Sequence, residues 1–587
     1  MALMFLTRKR NKLSNINLSH VSPTTLAPGN LIPISFTRII NDKQYRFKPS
    51  SFVQAFPMKA PLVNGFKVCY EYFFIPDRLY NSDLLLDFDG TTDEPDSVNY
   101  PATDVVGVSS QTIDLSSNQD MDNIAKLICS PGSLADYMGV PPGFLSVPTV
   151  TSGTPSWNIP KINVIKALGY LDVVYNYYVN QQIDVIPTAS YRYASTGVYN
   201  TSLQLDTLRT LLKNVKRAPD PVVAIKQFIT DWISSGTPIE LCPLSWQWLC
   251  SRNSILQRCL PPYYLESWLR TSGYEDSEIK VDLDDDGTGN YSIAMRNISG
   301  ASHIQRWVDL CLAGGSRWSD YQNAQFDCSR VKNSTVPIFL GADRQYLGSN
   351  VIYQTTGFDN SDSPLGSFAG QASGGDSFRQ RVFSFGEPGY FMVMASLVPD
   401  VIYGRGLDPF LEELTLGDSY APALDNIAME PLLTKTLDVI PRLGSTNTKG
   451  FSLFPVPSSA AVGFVPAWSK LMQQVSRSHG RLTTELAYWL LERDYGTEPS
   501  DDNLTNIRKN IASWLVGGNI GYDVAEAILA LMQRMRKNYS YSPYVRPNAY
   551  NGVFADQSNE AQNFVLTFSC TATALREKSK TNVTTTL

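Results

Sequence analysis

The chain of 587 residues has 49 Lys and Arg against 55 Asp and Glu, a net charge of −6, so its bulk charge excludes a general nucleic-acid binder. Any contact with nucleic acid has to be local. The composition is 43% hydrophobic and only 18% charged, with 30 Tyr, 36 Pro and 38 Gly, which predicts a globular protein with a large core, short strands, many turns and broad contact surfaces.

The first twenty residues are polar and contain a cluster of four cations, Arg8, Lys9, Arg10 and Lys12. This stretch has neither helical nor strand periodicity, which predicts a basic arm over residues 1–20. In the opening MALMFLTRKR the apolar residues precede the basic ones, which is the reverse of a secretory signal. The apolar run at 390–399 is far shorter than the roughly 20 residues of a membrane-spanning helix. We therefore expect a protein that is made and used in a cytosol, without membrane insertion.

Strand patterns dominate three parts of the chain. Residues 31–80 consist of short apolar runs broken by prolines, and FKVCYEYFF at 66–74 alternates as a strand packed on one face does. Residues 382–404 and 563–575 return to β-rich patterns. Residues 81–160 are rich in Asp, Ser, Thr, Gly and Pro, which predicts a long surface excursion. The expected fold is mainly β.

Helical patterns interrupt the strands at three places. Apolar residues recur one turn apart at 161–180, and at 220–235 Asp220 is placed to cap a helix that begins with Pro221. Residues 482–537 contain three helical patterns in succession. The helices are therefore expected as insertions into a β core.

Little in the sequence points to catalysis. The eight cysteines are scattered without a C-x-x-C pair, which favours buried, reduced thiols over a zinc site, and the three histidines stand alone. The sequence lacks the H-E-x-x-H, G-x-S-x-G and Walker patterns, so we expect no enzymatic activity and no required cofactor.

One acidic segment, DLDDDGTGN at 282–290, spaces Asp282, Asp284 and Asp286 as a calcium-binding loop does. Ile293 stands at the twelfth position, where such a loop needs a bidentate Glu. A solvated acidic turn is favoured, and a weak calcium site remains the alternative.

A second basic region interleaves cations with aromatic rings. RMRKNYSYSPYVRPNAY at 534–550 offers cations for phosphates and tyrosines for stacking on unpaired bases, which suits single-stranded nucleic acid of any sequence. Its candidate contacts are Arg534, Arg536, Lys537, Tyr539, Tyr541 and Arg546, with Tyr544 and Tyr550 beside them. A solvated helix end followed by an intersubunit loop explains the same residues equally well. A third and weaker candidate for contact with nucleic acid is the basic stretch with Arg576, Lys578 and Lys580.

Several longer strings resemble the major capsid proteins of microviruses, the small icosahedral bacteriophages with single-stranded DNA, and in particular the gokushovirus-like ones. Residues 20–79 resemble the opening of those proteins, and GSLADYMGVP at 132–141 is similar almost letter for letter to their G-S-L-A-D-Y-L-G-x-P motif. Further strings resemble later family motifs in the same order: AGGSRWSDYQNAQFD at 313–327, residues 389–432 and FVPAWSKLMQQVSRSHGRL at 464–482. A collinear series of this kind is far more specific than one short motif.

The resemblance implies an eight-stranded antiparallel jelly roll of the viral capsid type with long loop and helical insertions. It implies a single capsid domain at 21–587, in which 185–300 is an outer surface insertion and 482–537 a helical one. The expected function is self-assembly into a T=1 icosahedral shell that encloses a circular single-stranded DNA genome and presents the host-contacting surface. The implied partners are further copies of the chain, a small basic DNA-packaging protein, minor virion proteins and a host receptor. The expected location is the virion, after assembly in the host bacterial cytoplasm.

Two other function classes fit a β-rich chain. A secreted β-sandwich adhesin or lectin would be favoured by a signal peptide, and none is visible in the sequence. A carbohydrate-active enzyme would be favoured by a cleft with paired acids, and the sequence alone cannot select such a pair among 55 Asp and Glu.

Overall fold

The computed structural model describes residues 13–80, 101–102, 128–258, 335–433, 461–497, 538–539 and 550–576, with short gaps inside several of these ranges. The described strands are β1 Ser14–Asn17, β2 His20–Leu26, β3 Leu31–Ile39, β4 Gln44–Ala55, β5 Phe66–Pro76, β6 Pro148–Thr151, β7 Thr154–Trp157, β8 Val185–Pro187, β9 Tyr191–Tyr193, β10 Gly197–Tyr199, β11 Ser202–Gln204, β12 Ile338–Leu347, β13 Ser349–Tyr353, β14 Phe368–Ser377, β15 Arg381–Phe383, β16 Gly389–Pro399, β17 Met429–Leu433, β18 Ala461–Pro466, β19 Gly496–Thr497, β20 Asn538–Tyr539 and β21 Phe564–Arg576.

The described α-helices are α1 Leu134–Met138, α2 Ile165–Val173, α3 Leu205–Arg217, α4 Pro221–Ser234 and α5 Trp246–Cys250. A π-helical turn, Val174–Tyr178, continues α2. Short 3-10 helices are Asp77–Tyr80, Ile239–Leu241, Arg252–Ser254, Pro409–Glu412, Ser469–Leu471 and Gly480–Thr483.

Two antiparallel sheets form the centre of the protein. In the first, which we call the open sheet, β1 and β2 both lie along β21, β21 is followed by β4, and β4 is followed by β14 and β15, with β13 beyond β14. In the second, the covered sheet, the order is β12, β5, β16 and β3. The remaining described strands form two-stranded ribbons, β6 with β7, β8 with β11, β9 with β10, β17 with β18 and β19 with β20. The predicted β-rich character of the chain is confirmed.

The open sheet has one face in the core and one face exposed. Along β4, QYRFKPSSFVQA, the rings of Tyr45 and Phe47 are buried, whereas Arg46, Lys48 and Phe52 are exposed. Successive side chains of a strand point to opposite faces, so this alternation of residue types places one face of β4 in the core. The same alternation continues along β21.

Aromatic rings join the two sheets across the core. The ring of Phe391 on β16 lies 5.3 Å from that of Tyr45 and 4.9 Å from that of Phe47, measured between centroids. Tyr70 of β5 lies 5.6 Å from Phe568 of β21 in the same way. Each aromatic pair contributes about 0.5–1.5 kcal/mol beyond the burial of its surface. The two sheets therefore pack face to face around an aromatic core.

The two central strands of the covered sheet, β5 and β16, are buried on both faces. Helix α2 and its π-helical turn pack on the outer face of β5, where the ring centroids of Phe73 and Tyr177 are 5.1 Å apart. The helix approaches so closely that a Cβ on Gly169 would lie 2.5 Å from Cδ1 of Ile75. The strand predicted at 66–74 is confirmed, but the prediction that only one of its faces is packed is wrong, because α2 covers the other face.

Two predicted helices are confirmed. Helix α2 with its π-helical turn lies within 161–180. Helix α4 begins at Pro221, and Oδ1 of Asp220 accepts a hydrogen bond from the backbone N–H of Val222 at 2.8 Å. This capping bond satisfies one of the N–H groups that a helix leaves without a partner at its first turn.

Part of the predicted outer insertion at 185–300 lies in the core. Trp246 and Trp248 of α5 are among the largest fully buried side chains, and Oγ of Ser245 caps this helix by accepting the N–H of Trp248 at 3.1 Å. The backbone N–H of Leu31 in β3 donates to the carbonyl of Leu256 at 3.1 Å. The prediction of an exposed insertion is therefore wrong for residues 242–257, because this stretch continues the packing of the covered sheet. Residues 259–300 lie outside the described residues.

Two other predictions change at their boundaries. Residues 14–17 were assigned to the unstructured arm, but they form β1, because the end of β21 supplies a partner strand. An α-helical insertion was predicted at 482–537. The described residues there form no α-helix: Gly480–Thr483 is a 3-10 helix, and Gly496–Thr497 is a strand paired with β20. Most of that insertion lies outside the described residues.

The cysteines in the described part of the chain are buried free thiols, in agreement with the predicted burial: Cys69, Cys129, Cys242, Cys250 and Cys570. A hydrogen bond from the thiol of Cys250 lowers the pKa of Cys129 to about 7. Burial raises the pKa of Cys242 and of Cys570 to about 12. The last two thiols therefore stay protonated and act as small apolar core residues.

Candidate nucleic-acid interface

Of the main candidate contacts in the basic arm, in the 534–550 stretch and in the calcium-like segment, the structure describes only Tyr539. Tyr539 lies in β20 and pairs with Gly496 of β19. The others lie outside the described residues, namely Arg8, Lys9, Arg10, Lys12, Arg534, Arg536, Lys537, Tyr541 and Arg546 for nucleic acid and Asp282, Asp284 and Asp286 for calcium. Within the described ranges, no group of three or more His, Cys, Asp or Glu is placed to hold a metal ion.

Two residues of the basic stretches have roles that the sequence did not predict. Tyr550 is 3% exposed and belongs to the hydrophobic core, so its ring is not available to stack on a base. Arg576 donates from Nε to Oδ1 of Asp42 at 2.6 Å and from Nη2 to Oδ2 at 3.0 Å, and Asp42 is fully buried. This two-point ion pair anchors the end of β21 and neutralises the guanidinium that had been a candidate DNA contact.

The exposed face of the open sheet suits a polyanion. Arg46 and Lys48 project from β4, and β21 runs beside them with Thr573 opposite Arg46 and Thr571 opposite Lys48. Phe52, further along β4, is 51% exposed and offers its ring to solvent. Strands β1, β2, β4 and β21 contain no Asp or Glu. On these four strands a phosphate group would meet cations and hydroxyl donors without a carboxylate.

The first and last described strands meet at one corner of this face. Ser14 of β1 pairs with Arg576 of β21, and Arg46 pairs with β21 at Thr573 nearby. In the sequence, Lys12 stands two residues before Ser14, and Lys578 stands two residues after Arg576. The basic arm and the basic stretch at 576–580 are therefore joined to the same corner. Sequence reasoning missed this grouping, because a pairing between residues 14 and 576 leaves no local signal.

The ionisable clusters under the covered sheet hold the fold together. Asp172 of α2 is 1% exposed, accepts a hydrogen bond from the hydroxyl of Tyr80 at 2.9 Å and lies 2.7 Å from Nζ of Lys216 on α3. Burial, followed by the negative charge of Asp172, raises the pKa of Tyr80 well above its usual value. Arg258 pairs with Glu71 of β5 at 3.2 Å in a second cluster. These side chains are largely buried and paired, so they connect helices and strands rather than present an acid or a base to a substrate.

The GSLADYMGVP motif forms one wall of a shallow cavity of about 510 Å³. Asp136 and Arg252 both bind backbone groups of the turn at 131–132, at 2.9 and 2.8 Å. The hydroxyl of Tyr137 lies 2.8 Å from Oγ1 of Thr24 on β2, and burial raises the pKa of Tyr137 to about 12. The polar residues of the motif therefore hold this turn and α1 against the open sheet.

None of the described helices is both long and apolar enough to cross a membrane.

Comparison with known proteins gives one family match. The sequence model of a family described as capsid protein (F protein) matches residues 6–130, which include β1 to β5 and therefore strands of both main sheets. A search of curated proteins finds no match to the chain. The family match confirms the resemblance predicted from the sequence, and over residues 6–130 this chain is similar to the capsid protein (F protein) family.

Proposed function

We propose that this protein is a major capsid protein that assembles into a T=1 icosahedral shell, encloses a circular single-stranded DNA genome and presents the surface that contacts the host. The observation that carries the proposal is the capsid-family match over residues 6–130. Its role is structural and not enzymatic, and it needs no cofactor. The acidic segment with Asp282, Asp284 and Asp286 is a solvated turn, with weak calcium binding as the alternative.

The eight main strands are inferred to form a jelly roll. The orders β2, β21, β4, β14 in the open sheet and β3, β16, β5, β12 in the covered sheet support this inference. Along the chain, β2 to β5 alternate between the two sheets, β12 follows in the covered sheet, and β14, β16 and β21 alternate again. Such connections between two facing antiparallel sheets are what a jelly roll of two Greek keys requires.

The exposed face of the open sheet is the part of the described surface that best suits the genome. Arg46 and Lys48 can neutralise phosphates, the hydroxyls of β21 can donate hydrogen bonds to them, and Phe52 can stack on an unpaired base. None of these groups reads base identity, as enclosure of a whole genome requires. The arm at 8–12 offers further cations for phosphates, and the 534–550 stretch offers both cations for phosphates and tyrosines for bases.

The protein works in the virion and is assembled in the host bacterial cytoplasm. Further copies of the chain are its main partners, because a capsid subunit has to bury surface against other subunits. Minor virion proteins and a host receptor are further partners. A small basic DNA-packaging protein is expected as well, because a chain with net charge −6 cannot neutralise packaged DNA.

Expression of the full chain, alone and with a circular single-stranded DNA, tests the proposal. We expect closed shells of one size in electron micrographs and DNA that resists nuclease inside them. Linear double-stranded DNA of the same length is the matched control and should be protected much less. A compact monomer under all salt and protein concentrations, measured by analytical ultracentrifugation, would refute the proposed function.

A further inference from the structure

Two buried thiols lie side by side where the turn before α1 meets the end of α5. Cys129 is 1% exposed and Cys250 is fully buried, and both belong to the hydrophobic core. Their thiol groups form a hydrogen bond with each other. Two thiols in contact have the arrangement from which a disulfide forms, provided that the backbone on each side holds them there.

Hydrogen bonds hold the backbones of these two cysteines together. The N–H of Ser130 donates to the carbonyl of Cys250 at 2.9 Å. Four residues further along both stretches, the N–H of Leu134 donates to Oγ of Ser254 at 2.8 Å. The two stretches therefore run next to each other in a fixed register. A bond between the two sulfurs consequently requires little movement of the backbone.

The two thiols differ in acidity. The hydrogen bond from Cys250 lowers the pKa of Cys129 to about 7, against the effect of burial, and the hydroxyl of Ser133, 3.5 Å from Sγ, acts in the same direction. The same thiol–thiol bond, followed by burial, raises the pKa of Cys250. The thiolate is the form that attacks an oxidant. Cys129 is therefore the attacking sulfur, and Cys250 keeps its proton until the second step.

We propose that Cys129 and Cys250 form a modification site at which a peroxide closes a reversible disulfide. The thiolate of Cys129 attacks one oxygen of hydrogen peroxide and becomes a sulfenic acid, and hydroxide leaves and takes up the proton that Cys129 has released. The sulfur of Cys250 then attacks the sulfenic sulfur, so that the S–S bond forms and water leaves. In total, two thiols lose two protons and two electrons, and the peroxide is reduced to two molecules of water.

The disulfide fastens the end of α5 to the turn before α1 and closes a loop of about 120 residues. A link across a loop of this length restricts the unfolded chain strongly, so oxidation stabilises the folded subunit. Helices α2, α3 and α4 lie within the closed loop. Both cysteines belong to one copy of the chain, so the proposal does not depend on the assembly of a shell.

The experiment uses the full chain, purified in reductant and divided into a reduced portion and a portion treated with hydrogen peroxide. Titration of thiols in denaturant should show two fewer in the oxidised portion than the eight of the sequence. Mass spectrometry without reduction should find one pair of peptides, linked through positions 129 and 250. Oxidation should raise the thermal unfolding temperature by about 2–4 °C, and dithiothreitol should reverse the change.

Alanine variants identify the thiols that are responsible. Cys129→Ala and Cys250→Ala should each lose the rise in unfolding temperature after oxidation. Cys242→Ala is the matched control, because Cys242 is also fully buried and its thiol has a pKa of about 12, and it should keep the rise. Each variant is compared with its own reduced form, so a loss of stability from the substitution itself cancels. The peptide map of the wild type decides the question if a variant does not fold.

Four results would overturn the proposal. They are eight free thiols after peroxide treatment, a disulfide that joins other cysteines instead, a sulfinic acid at Cys129 without a link, and a link that leaves the unfolding temperature unchanged. Failure of the chain to form shells is a different result, because it would refute the proposed function and leave the disulfide measurement on the subunit untouched.

Discussion

Replacing the two exposed cations of β4, Arg46→Gln with Lys48→Gln, should weaken the binding of single-stranded DNA and flatten its salt dependence. Within the described part of the chain, Arg46 donates from Nη2 to the neutral Oε1 of Gln44 at 3.3 Å and forms no ion pair, so its charge remains available. Beside these two cations, β21 brings hydroxyl groups on one side and β15 places Val382 opposite Arg46 on the other, and neither strand contains a carboxylate. Asp376 of β14 lies further along β4, opposite Ser51. Each of the two cations can therefore neutralise one phosphate.

The magnitude follows from the release of counterions. For a single strand, each neutralised phosphate contributes about 0.7 to the slope of log K against log salt, so loss of two should lower the slope by about 1.4. Between roughly 50 and 200 mM salt the wild type should then lose about sevenfold more affinity than the variant. Binding is not abolished, because the basic arm and the residues after Arg576 remain.

Fluorescence anisotropy of a labelled oligothymidine, titrated with the subunit at several salt concentrations, measures this slope. The matched control is Arg209→Gln with Lys213→Gln, since both residues are exposed on α3 and the charge change is identical. An unchanged slope for the β4 variant, or an equal change for the control, would refute the assignment of the open face to DNA.

Three further predictions follow from the core, from the buried tyrosines and from the basic stretch. Phe391→Ala should lower the free energy of unfolding by about 3–5 kcal/mol, whereas Phe52→Ala on the exposed face should lower it by less than about 1 kcal/mol. Equal effects of the two variants in urea unfolding would contradict the face-to-face packing of the sheets. Burial raises the pKa of Tyr137 from 10.0 to about 12 and that of Tyr80 well above 10.0. The contribution of these tyrosines to the free energy of unfolding is therefore fully present below pH 10 and is lost as the pH rises towards 12. Absorbance of tyrosinate should therefore grow together with unfolding, and titration of these groups in a folded protein would contradict their burial. Glutamine at Arg534, Arg536, Lys537 and Arg546 should lower DNA retention and leave the assembly of empty shells intact; normal packaging with failed assembly would make the stretch an intersubunit element.

The elements that sequence analysis predicted best are those with a local signal. Alternation of apolar and polar residues marks the strand at 66–74, and the order of Asp220 and Pro221 marks the start of α4. Both signals depend only on neighbours in the chain. The second buried face of β5 was missed, because the helix that covers it comes about a hundred residues later.

The elements that sequence analysis missed depend on distant partners. The residues SNIN at 14–17 are too polar to suggest a strand, and they become one only because β21 lies beside them. The buried stretch at 242–257 was assigned to a surface insertion, although Trp246 and Trp248 offered a composition signal for the core. The candidate DNA corner could not be predicted at all, because it depends on the pairing of Ser14 with Arg576.

The distribution of charge on the described strands bears on how the proposed subunit would handle DNA. On strands β4 and β21 the open face combines Arg46 and Lys48 with hydroxyls and contains no acid, which suits phosphates. Since the whole chain still has a net charge of −6, the acids that outnumber the bases must lie outside the four strands β1, β2, β4 and β21. In the proposed shell, such subunits would position a DNA strand at their cationic corners, but every copy would add negative charge to that of the genome. We therefore expect a separate basic partner to neutralise the packaged DNA.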